Sequence, residues 1–188
     1  MALLKTPPNP RDHKRGDPNA SVVLVEYGDF QCPHCAAAEP VVQELLAGFD
    51  DLQHVYRHFP LTEVHPLADI AAQAAEFAGQ HGAFWPMHDA LFVNQPQLSL
   101  PVIFAIAGEL DLSQSALRVA LEAQTYAGKV HDDFIGGVRS GVNGTPCFFV
   151  NGVRHDGDYS FESLGAAILA GRAAARAPQT TSTRHAGR

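Results

Sequence analysis

A chain of 188 residues, 46% of them hydrophobic, is long enough to bury one core and needs no second domain. Its 20 acidic and 13 basic side chains give a formal charge of −7, and the Lys and Arg residues are scattered, which argues against a nucleic-acid partner. Three cysteines are too few for a disulfide-stapled scaffold, and no apolar run reaches the ~18 residues that a membrane-crossing helix needs.

Residues 1–20 read as an irregular lead-in, rich in Pro, Asn, Asp and charge, with room for one short strand. They lack the continuous apolar segment of a secretory signal, so a cytoplasmic protein is expected. Ser21 to Tyr27, SVVLVEY, is an apolar, β-branched run broken only by Glu26, the pattern of a central strand buried on both faces. Pro33 suits the first position of a helix that runs through AAAEPVVQELLAG, with a kink expected at Pro40 and an end at Gly48. Leu52 to Phe59 is the next strand, which makes Ser21 to Phe59 a strand–helix–strand crossover. From about residue 62 to 140 the pattern is helical: Ala68 to Gly79, Phe84 to Val93, Pro101 to Leu110, Ser113 to Ala123 behind a Ser113 N-cap, and Thr125 to Val138. That block is too large for a crossover and reads as a helical insertion in an α/β fold. Cys147 to Val150 is a strand, Asn151-Gly152 a hairpin turn, Val153 to His155 its partner, and Ser160 the cap of a last helix with Glu162 in its first turn. Residues 176–188 have nothing to bury and read as a disordered tail.

Cys32-Pro33-His34-Cys35 follows a buried strand and opens a helix, where backbone N–H groups and the helix dipole stabilise a thiolate. A redox pair is the favoured reading. Cys32, nearer the loop, is then the nucleophile, and Cys35, one turn into the helix, the resolving thiol. The alternative is a metal or Fe–S binding module that uses Cys32, Cys35 and Cys147. It is disfavoured because zinc takes four ligands and no second C-x-x-C follows. His54 and His58 have metal-ligand spacing, yet on a strand that spacing sets the rings more than ~13 Å apart. His58 and His65 read as packing or capping residues, and Phe84, Trp85 and Phe92 as core of the helical block. Glu26 either reaches solvent from a strand end or is a buried functional carboxylate, and its six-residue spacing to Cys32 favours the second. Cys147 reads first as a small core residue.

The strand carrying Glu26, the CPHC at the mouth of a helix, the long helical insertion and the late Gly144-Thr145-Pro146 before FFVNG together resemble the DsbA family of thioredoxin-fold disulfide oxidoreductases, over roughly Asp17 to Ala175. The resemblance implies an α/β thioredoxin fold with an inserted helical subdomain, as one domain over residues 21–175. It also implies exchange of disulfides with protein or small-thiol substrates through Cys32 and Cys35, with a separate redox-recycling partner, no cofactor and no metal. The chain is expected to act as a monomer. The family's buried acid falls on Glu26, which would take the Cys35 proton in dry surroundings. His34 would add to the stabilisation of the Cys32 thiolate. Pro33 and a cis-proline, Pro146, would face substrate, with the Thr145 backbone pairing to an extended peptide. Two features depart from the family pattern. Cys147 stands where threonine is more usual, a position from which a third thiol could tune or trap the site. No signal sequence is visible, which leaves the direction of reaction open, since in a reducing cytosol such a motif rests mostly as a dithiol.

Overall fold

The computed structural model describes residues 2–176. The apolar run after Ser21 forms β2 (Val22–Gly28), and the polar lead-in before it contributes β1 (His13–Gly16). α1 (Pro33–Gly48) begins at Pro33, runs through Pro40 and ends on Gly48, and β3 (Leu52–His58) follows. β2 and β3 pair in parallel, as strands joined through a helix do. Among the described residues five helices come next: α2 (Ala68–Gln80), α3 (Phe84–Val93), α4 (Leu100–Glu109), α5 (Gln114–Glu122) and α6 (Ala127–Arg139). A 3-10 turn at Gln95–Gln97, absent from the sequence reading, links α3 to α4. The Ser113 hydroxyl caps α5 by accepting from the Ala116 N–H at 3.2 Å.

β4 (Cys147–Val150) and β5 (Val153–Arg154) form the expected hairpin, with the return strand one residue shorter than the sequence pattern implied. Asn151 and Gly152 take φ of 47° and 81°, the left-handed conformation that a two-residue hairpin turn demands. α7 (Phe161–Arg176) follows its Ser160 cap. Arg176 is therefore helical, and the rest of the expected tail lies outside the described residues.

The sheet order is β1-β3-β2-β4-β5, with β2 and β3 parallel and the remaining pairs antiparallel. Period-two alternation sorts the side chains. Val22, Leu24, Leu52, Phe148 and Val150 pack under α1 and α7, while Val25, Tyr27, Val55, Cys147 and Phe149 face the other way, toward Phe59 and Phe134 of α6. A third core, containing Phe30, Cys35, Tyr56, Phe84, Met87 and Leu91, joins the helical block to the end of the sheet nearest Cys35. No helix among the described residues is long and apolar enough to cross a membrane.

The lead-in is less irregular than its composition implied, because a buried charge holds it. Arg57, on β3 and 2% exposed, grips Asp12 with Nε and Nη2, both at 2.9 Å, and donates to the carbonyls of Thr6 (2.7 Å) and Pro7 (3.0 Å) and to the Tyr27 hydroxyl (3.0 Å). A guanidinium so enclosed is tolerable only with its donors satisfied. Farther toward the N-terminus, Leu4 N donates to Gly152 O and Arg154 N to Ala2 O, which covers the free edge of β5. Asp12→Ala leaves the Arg57 charge buried and uncompensated, so a loss of about 3–5 kcal/mol is expected in urea unfolding. The double variant Asp12→Ala/Arg57→Met removes the stranded charge and should recover a large part of that loss.

Candidate functional site

α1 begins beside the loop that leads into β4. Cys32 is its N-cap (φ −72°, ψ 118°) and Pro33 its first residue, where the missing N–H leaves no helix bond unmade. Cys32 keeps 4% exposure and Cys35 none, and the structure holds both as free thiols. The Thr145–Pro146 peptide bond is cis, and the Cys32 thiol donates to the Thr145 carbonyl at 3.3 Å. The Thr145 hydroxyl is buried with no other partner among the described residues, so it is free to turn toward the sulfur once the thiol has lost its proton.

The two thiols are driven in opposite directions. The Cys32 thiol is brought down to about 5, first by the hydrogen bond from the Cys35 thiol and then by the Thr145 hydroxyl and the backbone N–H groups of Cys35 and His34; partial burial works against them. Burial pushes the Cys35 thiol well above its usual range, and its bond to Cys32 and the nearby Glu26 charge add to this. The Asp29 N–H donates to the Cys35 sulfur at 3.4 Å.

Beside the thiolate, the part of His34 that lowers the Cys32 thiol is its backbone N–H, the smallest of these causes. Its imidazole is exposed, and Nδ1 pairs with the Tyr159 hydroxyl at 3.2 Å.

Glu26 is buried, with 1% exposure, beneath this pair. Burial raises its carboxyl to about 8, opposed by the positive charge of Arg15. Its Oε2 lies 2.9 Å from His54 Nε2, and His54 Nδ1 accepts from Arg15 Nε at 3.1 Å. His54 is wholly buried, which holds its imidazole well below the usual histidine range, with the Arg15 charge acting the same way. Gly28 is required nearby, because a Cβ there would come within 2.6 Å of the Tyr56 hydroxyl.

The loop between β2 and α1 is fixed by side chains that the motif does not include. Asp29, its side chain fully buried, accepts from Gln31 N (2.7 Å), Leu61 N (2.9 Å) and His65 Nδ1 (2.8 Å). Gln95, from the 3-10 turn, donates to the carbonyls of Phe30 (2.9 Å) and Cys32 (3.0 Å). His65 is thus a loop clamp. The EYGDFQC stretch carried one available signal, an acid three residues before the first cysteine, but Gln95 and His54 had none, since only the folded chain brings them near.

The cysteines do not form a metal cage. Alternation along β4 turns Cys147 away from Cys32 and Cys35, into the core with Tyr27 and Phe149, in keeping with its reading as a small core residue rather than a third thiol at the site. Among the described residues two clusters could offer three metal ligands, Glu39/His88/Asp89 and His58/Glu76/Asp133, and neither contains a cysteine. Each already holds a cation: Arg15 bonds Glu39 and Asp89, and Lys129 bonds Asp133 at 2.5 Å.

Comparison with known proteins agrees with this geometry. The family described as "Thioredoxin" matches residues 8–170. The thioredoxin-like oxidoreductase of Silicibacter pomeroyi superposes with a TM-score of 0.77 at 28% identity, over 88% of this chain and 94% of that one. Alpha-DsbA1 of Wolbachia pipientis shares the fold, with a TM-score of 0.76 at 22% identity over 89% and 94% of the two chains. The Na(+)/H(+) antiporter NhaA 1 of Salinispora arenicola is 48% identical over 92% of this chain, which spans only 27% of that protein's length.

The raised carboxyl makes stability depend on pH with a definite sign. The folded state holds the Glu26 proton up to about 8 against an ordinary 4.5, so wild type loses stability as pH rises through that window. Glu26→Gln lacks this loss. Its melting temperature should match wild type near the lower limit and exceed it increasingly toward the upper, by a stability difference on the order of a few kcal/mol.

Proposed function

This chain belongs to the thioredoxin family, and from that premise we propose that it is a DsbA-type oxidoreductase that exchanges disulfides with protein or small-molecule thiols through Cys32 and Cys35. The observation that carries the proposal is the opposed tuning of two thiols three residues apart: Cys32 brought to about 5 at the mouth of α1, Cys35 buried and raised. Exchange needs both. A thiolate attacks one sulfur of a substrate disulfide, and the resulting mixed disulfide must then be opened by a second thiol that stayed protonated and shielded during the first step.

In that second step Glu26 takes the Cys35 proton, the new Cys35 thiolate attacks the Cys32 sulfur, and the substrate sulfur leaves as a thiolate. The substrate is reduced and the pair becomes a disulfide. Run backwards, the same steps oxidise a substrate dithiol, with Glu26 returning the proton to Cys35. In this reading Pro33, Thr145 and Pro146 face the substrate and the Thr145 backbone pairs with an extended substrate strand, which the 3.3 Å contact of the Cys32 thiol with the Thr145 carbonyl supports. A separate redox partner must restore the pair after each turnover. A monomer suffices for this chemistry, since every group named comes from one chain, and in a cytoplasmic setting the couple would rest as the dithiol.

Two variants test the assignment. Cys32→Ser should abolish the acceleration of insulin reduction by dithiothreitol over the uncatalysed rate, and Cys35→Ser should accumulate a stable mixed disulfide, located by peptide mass mapping on Cys32. Adducts gathered on Cys147 instead would overturn the assignment.

A further inference from the structure

Arg15, His54 and Glu26 stand on three neighbouring strands and on one face of the sheet, the face covered by α1. Register puts them there: Arg15 lies opposite His54 across β1 and β3, and β2 and β3 set Leu24 beside His54, one diagonal step from Glu26. A guanidinium can only donate, so the Arg15 Nε contact makes His54 Nδ1 an acceptor. The ring proton is then on Nε2, which donates it to Glu26 Oε2 at 2.9 Å. The second carboxylate oxygen, Oε1, has no hydrogen-bond partner among the described residues.

We propose that His54, with its tautomer set by Arg15, is a positioning residue that holds Glu26 by Oε2 and so makes Oε1 the atom that exchanges a proton with the Cys35 thiol. The proposal rests on the exchange reading of the Cys32–Cys35 pair and specifies its proton step: the Cys35 S–H proton passes to Oε1 as the Cys35 sulfur bonds to Cys32 and the Cys32–substrate bond breaks. A hydrogen bond donated to a carboxylate favours the ionised form, and here it acts against burial. Without it, the Glu26 carboxyl, already raised by burial, would ionise only at still higher pH and would serve less well as a base near neutrality.

The remaining groups around the pair leave His54 as this neutral donor. From α1, Cys35 and Glu39 face it, from β3 Tyr56, and from α3 the hydrogen-bonded His88–Asp89 pair. The charges that could compete are tied to Arg15, which donates to Glu39 at 2.8 Å and to Asp89 at 3.3 Å and lies over the Trp85 ring at 4.3 Å. Arg15 is thereby held in the one orientation that presents Nε to His54.

The test is the pH profile of the resolving step, followed by rapid mixing of reduced protein with oxidised glutathione and detection of the Cys32–glutathione adduct and its decay. His54→Leu removes the donor, and the inflection of the decay rate should move up by at least ~1 pH unit, with a rate at neutral pH lowered about tenfold and recovered above the new inflection. His54→Gln, whose amide can donate to Glu26 and accept from Arg15, should restore the wild-type inflection. A His54→Leu rate lowered equally at every pH, or a His54→Gln profile like that of His54→Leu, would show a merely structural role and overturn the proposal. Absence of the adduct in wild type would overturn the exchange reading and this role with it; an adduct that decays with an unshifted inflection overturns the role alone. Nitrogen NMR of the wild-type imidazole checks the tautomer without any substitution. A neutral ring protonated at Nε2 from about pH 6 to 8 is expected, and a proton on Nδ1 or a charged ring would refute the proposal.

Discussion

The Cys32 sulfur stands at the mouth of α1, where the Cys35 thiol, the Thr145 hydroxyl and the helix's first-turn backbone all favour its ionised form, and the rest of the site follows from that placement. A thiolate survives at neutral pH where donors are fixed in place and need not reorient from water. Cys32 meets that condition as the N-cap of a helix whose first residue is proline. Cys35, one turn further on, points into the core and meets the opposite one. The sequence distance between the two sulfurs is trivial, but the electrostatic distance is large. On the proposed exchange reading, that difference, more than the presence of two cysteines, is what lets the pair attack and then resolve.

Holding the helix mouth in place falls to parts of the chain far from the motif. Asp29 ties the loop before Cys32 to the segment after β3, and Gln95 reaches from the helical insertion to the carbonyl of Cys32 itself. The insertion is therefore the outer wall of the active site as well as a helical cap on the sheet, with Phe30, Cys35 and Tyr56 sharing its core. On the opposite side the Thr145–Pro146 segment supplies both an acceptor for the thiol and a hydroxyl for the thiolate, so either protonation state of Cys32 has a partner. Beneath them, the sheet register carries a carboxylate into a place where it titrates near neutrality.

What was legible in the sequence was local. Pro33 at a helix start, Ser113 as a cap, Asn151-Gly152 as a turn and the apolar strand with one intruding acid are each decided by neighbours within a few residues, and each stands where the pattern put it. The partners of that acid are decided by strand register, which no local pattern reveals. His54 looked like one more histidine on a strand, and Arg15 belonged to a stretch whose composition signalled a loop. Side-chain direction is a further thing that position in the chain does not give: the His34 imidazole turns to Tyr159, while Cys147 takes the core place that its small side chain suggested. Arg57 and Asp12 complete the pattern: a polar lead-in is ordered by a buried ion pair that only the folded chain assembles.

The central claim, that one thiol of the pair is ionised while the other keeps its proton, is tested most directly by the reduction potential of the Cys32–Cys35 couple measured against glutathione as a function of pH. If Cys32 is a thiolate above about 5 and Cys35 remains a thiol, reduction takes up one proton for two electrons, and the potential should fall by about 30 mV per pH unit across the neutral range. A slope of about 59 mV per pH unit over that range would mean that both thiols are protonated in the reduced protein, and would contradict the account.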